Sequence, residues 1–208
     1  MLYRPGDMGL LEIISSGAMF SGKTRTLLTR LETFMLAGRK VQLFCPKGSQ
    51  ERYRTQGEVV SHDGMSMRTM EINHPIEILK TLFQREDPLF LNTVNPGQSG
   101  ISVVGIDEIM LFHHDIVKVV DFLVDHKFIV VASGLSVLSS GKPFGPMPEL
   151  LAKADIITHL QAVCNICGNP ATRTLPKFEK KKDIVIGKDY MALCRKCWEQ
   201  KKNEEYEN

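Results

Sequence analysis

Apolar residues recur along this chain in two rhythms, short unbroken runs and stretches spaced by three or four, and their alternation predicts strands and helices in turn. The run Leu11-Glu12-Ile13-Ile14-Ser15 reads as a strand. Behind it, Leu27, Leu28, Leu31, Phe34 and Met35 form one face of a helix expected over 23–37, with Gly38 free to take the left-handed conformation at its end. A second strand is expected over 40–45, stopped by Pro46, with a polar loop over 47–53. Residues 59–60 and 65–72 flank Ser61-His62-Asp63-Gly64, where the Asp-Gly pair signals a hairpin and His62 is a turn residue. A helix over 75–85 begins at a proline, and 87–100 reads as a loop. The mostly apolar run 101–108 ends in Asp107 and Glu108. A helix over 113–125 then carries Ile116, Val119, Val120 and Leu123 on one face, with His113 and His114 on its exposed first turn. A strand over 127–132, a loop Ser133-Gly134-Leu135-Ser136, a short helix over 147–153 and a strand over 156–160 complete the series. Such alternation over roughly the first 160 residues predicts an α/β fold built on a parallel sheet.

Composition narrows the class. With 208 residues, 43% of them hydrophobic, the chain is long enough for one full core and a small appendage. Its 26 basic and 24 acidic residues nearly cancel, so neither nucleic acid nor a membrane surface is an expected partner on charge alone. No signal-peptide or membrane-spanning run is apparent, and a cytoplasmic protein is expected.

The candidate chemistry begins at Gly17-Ala18-Met19-Phe20-Ser21-Gly22-Lys23-Thr24, which has the glycine, lysine and hydroxyl spacing of a phosphate-binding loop. A strand before it and a helix after it supply the required context: backbone N–H groups and the positive end of the helix face phosphate oxygens. Lys23 is expected to reach the terminal phosphates and Thr24 to ligate magnesium. A parallel strand ending in Asp107-Glu108 delivers two carboxylates to the ligand-binding end of the sheet. Asp107 is the candidate for holding magnesium, and Glu108 the candidate base for an attacking hydroxyl. Arg52, in the loop after the second strand, is either a phosphate contact or a solvated side chain.

Four of the five cysteines fall as Cys164-Asn165-Ile166-Cys167 and Cys194-Arg195-Lys196-Cys197. Two such pairs form the ligand set of a tetrahedral structural zinc site with no open coordination position. The alternatives are a redox pair or, given the basic stretch 173–182, a ribbon that touches nucleic acid. Cys45 reads as a small core residue. A loop between the pairs, pinned at its base by metal, has the character of a substrate lid. Beyond Trp198 the tail is polar and is expected to fray.

Taken in order, the phosphate loop, Asp-Glu at a strand end, Ser133-Gly134-Leu135, Lys142-Pro143-Phe144-Gly145-Pro146 and a cysteine lasso closing in Tyr190-Met191-Ala192-Leu193-Cys194-Arg195 resemble the type II, zinc-containing thymidine kinases over about residues 9–198. The resemblance implies a P-loop (RecA-like) domain over 9–160, a zinc-binding lasso over 161–198 that closes on the nucleoside, and a polar tail over 199–208. It implies ATP as donor, the 5′-hydroxyl of thymidine or deoxyuridine as acceptor, Glu108 as base, and a homotetramer. Met19, Leu135, Thr174 and Tyr190 match the pocket lining. Leu111 stands where an aromatic usually packs on the base, Ser136 and Gln50 where aspartates are usual, and Pro176 where an arginine is usual, while the lasso is shorter before Tyr190. These departures gather at the nucleoside pocket, so a kinase of another nucleoside, or a nucleotide-binding protein without catalysis, are the alternatives.

Overall fold

The computed structural model describes residues 8–49, 57–83, 100–177 and 190–206. In chain order its elements begin with β1 (Leu10–Ser16), α1 (Lys23–Leu36), β2 (Lys40–Pro46), β3 (Glu58–Val60), β4 (Ser66–Arg68), β5 (Met70–Ile72) and α2 (Ile76–Phe83). They continue with β6 (Ile101–Ile106), α3 (Ile116–Asp125), β7 (Ile129–Leu135), α4 (Met147–Lys153) and β8 (Ile156–Leu160). The last part comprises β9 (Ala162–Val163), β10 (Pro170–Ala171), β11 (Arg173–Pro176), β12 (Tyr190–Leu193) and α5 (Arg195–Tyr206). Six strands form one sheet in the order β5-β2-β6-β7-β1-β8, and every pairing among them is parallel. The predicted α/β class with a parallel sheet is therefore observed.

The sheet is covered on both faces because its strands alternate two apolar sets. From β1, Leu10 and Ile14 point to the α1 face, where Leu27, Leu28, Leu31 and Phe34 meet them. Leu11 and Ile13 point to the other face, against α2, α3 and α4. Gly105 lets α1 settle closely on β6, since a Cβ there would lie 2.5 Å from Leu31 Cδ1. A third, smaller cluster joins Ala18 to Leu175, Ala192, Leu193, Trp198 and two of the cysteines. The C-terminal segment thus packs directly on the phosphate loop.

Four details differ from expectation. The helix expected over 113–125 starts at Ile116, so His113 and His114 precede it and do not form its first turn. The run 65–72 is two strands: β4 pairs antiparallel with β3, whereas β5 joins the main sheet beside β2. Between them Thr69 turns the chain, its N–H donating to Gly57 O and its hydroxyl to Leu43 O. The strand expected over 127–132 runs instead from Ile129 to Leu135 and takes in Ser133, Gly134 and Leu135. The tail expected to fray continues as α5 to Tyr206. That helix is tied down by Trp198 Nε1 donating to Ser139 O at 3.2 Å and by Lys202 Nζ donating to Ser140 O at 3.0 Å. The expected loop over 87–100 lies almost wholly outside the described residues. Among the described residues no helix is long and apolar enough to cross a membrane.

Candidate active site

The phosphate loop leaves β1 at its carboxyl end, between β7 and β8, and enters α1. Ser16 starts the turn by accepting the Ala18 N–H on its hydroxyl at 3.0 Å. Phe20 and Gly22 both take positive φ, 63° and 83°. Gly22 suits that conformation at no steric cost, and nothing would crowd a Cβ there. As N-cap of α1, Gly22 offers no side-chain hydrogen bond to the helix, and no acidic residue stands in the first turn. The helix therefore presents uncapped N–H groups and its positive end to the loop, the arrangement that receives an anion. Ser21 adds a buried hydroxyl with no hydrogen-bond partner among the described residues. Lys23, in the first turn of α1, is buried.

Asp107 follows β6, its N–H bonded to Phe44 O of β2. The sheet order puts β7 between β6 and β1, so the acids and the phosphate loop are not on neighbouring strands. They nevertheless meet: the Thr24 hydroxyl, at the start of α1, lies 3.3 Å from Asp107 Oδ2 and 3.5 Å from Oδ1. Ser133, on the intervening strand, donates its hydroxyl to Asp107 Oδ1. Sequence reasoning missed Ser133, having taken it for a loop residue. The signal available was a small polar residue directly continuing a buried apolar run.

Glu108 is nearly buried and takes φ 51° and ψ 40°, ahead of a 3-10 turn over Ile109–Leu111. A non-glycine residue in this left-handed region is uncommon and is held by its surroundings. Here the turn is anchored by Ile109 and Met110, both in the core below the sheet. Leu111, half-buried, packs on that same cluster, as does Leu135. The Leu135 N–H lies 3.4 Å from Met110 Sδ, so these two predicted pocket residues share one neighbourhood.

The other predicted pocket residues come from the opposite side. Met19 donates its N–H to Thr174 Oγ1 at 2.9 Å. Thr174 lies on β11, which pairs antiparallel with β12, where Ala192 faces Thr174 and Tyr190 faces Pro176. Successive pairs two residues apart share a face of a ribbon, so Thr174 and Tyr190 lie on the same side. Gly17 allows the ribbon this close, because a Cβ on it would sit 2.1 Å from Thr172 O. On the other flank the β3–β4 hairpin leans on the loop, with His62 and Phe20 ring centroids 5.2 Å apart and Arg25 paired to Asp63 at 2.6 Å. Arg52, Gln50 and the lasso tip over 178–189 lie outside the described residues.

The sulfurs of Cys164, Cys167, Cys194 and Cys197 all lie within 4.8 Å of one another, with Cys167 and Cys194 at 3.6 Å. None of the five cysteines is in a disulfide. Burial pushes the Cys164 thiol up, but N–H groups of Cys194, Cys167 and Ile166 and the Cys167 side chain outweigh it and bring it to about 6. Cys197 is pushed up to about 12, first by its contact with Cys194 and then by burial. One thiolate so placed opposes the next, and a cation among the four sulfurs removes the conflict. This donor set, all sulfur and closed, fits zinc. Cys45 is separate and buried, and burial raises its thiol above the ordinary value.

The phosphate loop, the acids after β6 and the four-cysteine clip are the parts by which the sequence resembled a kinase family, and a comparison with family profiles reaches the same result. The profile described as thymidine kinase matches residues 9–198, and the cysteine cluster accords with the zinc-containing type II branch. The chain belongs to the thymidine kinase family, enzymes that phosphorylate thymidine at the expense of ATP.

Proposed function

We propose that the phosphate loop, residues Gly17 to Thr24, holds the phosphates of ATP, with Lys23 and Arg52 neutralising charge on the transferred group. The uncapped start of α1 and the Ser21 hydroxyl, without a partner among the described residues, support this reading. Thr24 and Asp107, in contact with each other, would hold magnesium, which supplies charge neutralisation across the phosphates when bound. Glu108 is the base: it takes the proton of the nucleoside 5′-hydroxyl as that oxygen bonds to the terminal phosphorus. The bond from phosphorus to the bridging oxygen breaks, and ADP leaves. Its nearly buried position, one residue after Asp107, sets Glu108 beside the phosphate-binding end of the sheet. Catalysis of this kind is chiefly positioning and electrostatics.

The nucleoside is assigned to the space bounded by Met19, Leu111, Leu135, Thr174 and Tyr190, with the module over 161–198 closing on it and 199–208 as a polar tail. The Met19–Thr174 hydrogen bond is the observation that carries this, because it joins the donor loop to the acceptor side by one contact. The four cysteines would hold zinc as a structural clip. A homotetramer in the cytoplasm is the family expectation. A second reading, a preference for another nucleoside, is favoured by Leu111, which offers no aromatic ring to a base.

Glu108→Gln tests the base. The glutamine keeps size and backbone demands, so turnover should fall about a hundredfold or more, while ATP affinity stays within a few-fold. Retained turnover removes Glu108 from the role.

A further inference from the structure

We propose that Ser133 is a positioning residue for phosphoryl transfer, fixing the rotation of the Asp107 carboxylate. The inference rests on the reading of Asp107 as the carboxylate that faces magnesium.

Asp107 is 1% exposed and Ser133 is not exposed at all. A carboxylate so buried requires donors on its oxygens. The terminal torsion of an aspartate is broad, so the side chain alone does not select which oxygen faces which neighbour. Thr24 does not select either: its hydroxyl is 3.3 Å from one oxygen and 3.5 Å from the other, both longer than a good hydroxyl hydrogen bond. Among the described contacts it is the Ser133 hydroxyl, donating to Oδ1, that selects. Oδ2 is then left on the side nearer Thr24.

The fold makes this contact possible at one place. Ala132 is in register with Ile106, so the next residue of β7, Ser133, stands beside Asp107. Ser133 is also in register with Ile14 of β1, the strand that leads into the phosphate loop. Alternation from Ile129 and Val131, both in the α1-facing core, puts the Ser133 side chain on the face where α1 begins. An alanine there would fit the same space and satisfy the sheet equally well. The hydroxyl is thus explained by the carboxylate it holds and by nothing in the packing.

The test is Ser133→Ala beside Asp107→Asn, with ATP binding measured by calorimetry in magnesium and again in EDTA, and turnover followed against magnesium concentration. Ser133→Ala is expected to bind ATP in EDTA within twofold of the parent, which also reports an intact fold. In magnesium it should bind about tenfold more weakly and need about tenfold more magnesium for half-maximal turnover, equal to about 1.4 kcal/mol. The KM for thymidine should not change. Parent-like magnesium dependence in Ser133→Ala, with that dependence lost in Asp107→Asn, overturns the assignment of Ser133 alone. Magnesium dependence preserved in Asp107→Asn overturns the reading of Asp107, and Ser133 falls with it. Equal weakening with and without magnesium assigns Ser133 to packing and also overturns the proposal.

Discussion

Replacing Gly17 with alanine probes the seam between the phosphate loop and the cysteine module. Gly17 is not among the residues of positive φ, so alanine adopts its backbone conformation without strain and the whole penalty comes from contact. The added Cβ would stand 2.1 Å from Thr172 O and 3.3 Å from Val137 Cγ2. A carbon and a carbonyl oxygen ordinarily approach to about 3.3–3.6 Å, so one backbone must yield by about 1 Å. Thr172 resists, because its N–H is bonded to Leu193 O in the ribbon that carries Cys194. Overpacking of this kind costs about 1–3 kcal/mol. The displacement should also stretch the Met19–Thr174 bond and loosen the module, so zinc should pass faster to a coloured chelator. Gly22→Ala is the control: it has open space but φ 83°, and it should lose about 1–2 kcal/mol from the left-handed backbone without speeding zinc release. Urea unfolding gives the first quantity and chelator absorbance the second. A Gly17→Ala protein within about 0.5 kcal/mol of the parent, with the same zinc release, would refute the close seam.

Arg30→Ala should cost about 1–3 kcal/mol, because Glu12 is only 3% exposed and would keep just a 3.5 Å contact with Thr158 after losing its bonds of 3.2 and 3.0 Å to the guanidinium. An unchanged urea midpoint would show that water replaces the arginine. The purified protein should carry about one zinc per chain. Its removal should lower both the melting temperature and the affinity for ATP, since Ala18 packs in the same cluster as Cys164 and Cys197. Full stability in metal-free protein would contradict the clip.

What was legible in the sequence is what depends on neighbours in the chain. The phosphate loop, its flanking strand and helix, and the apolar run ending in Asp107-Glu108 each carry their signal within a dozen residues. The cysteine pairs were equally plain, since spacing fixes which sulfurs converge. The rest required partners far along the chain. The break at Thr69 is made by Gly57 and Leu43. Ser133 acquires its role from a carboxylate just past the end of the adjoining strand. The polar run after Trp198 is held as helix where Ser139 O accepts from Trp198 and Ser140 O from Lys202, whereas composition alone points to fraying. The left-handed backbone of Glu108 was equally invisible, because nothing local to a glutamate favours it.

The most direct measurement is ADP formation from magnesium-ATP with thymidine, deoxyuridine and each other common nucleoside in turn, with Lys23→Ala as control. The account predicts turnover on thymidine that vanishes in the control, despite Leu111 at the pocket. Turnover on a different nucleoside alone would contradict the thymidine assignment and leave the phosphoryl machinery standing. No turnover on any nucleoside, with ATP still bound, would contradict both.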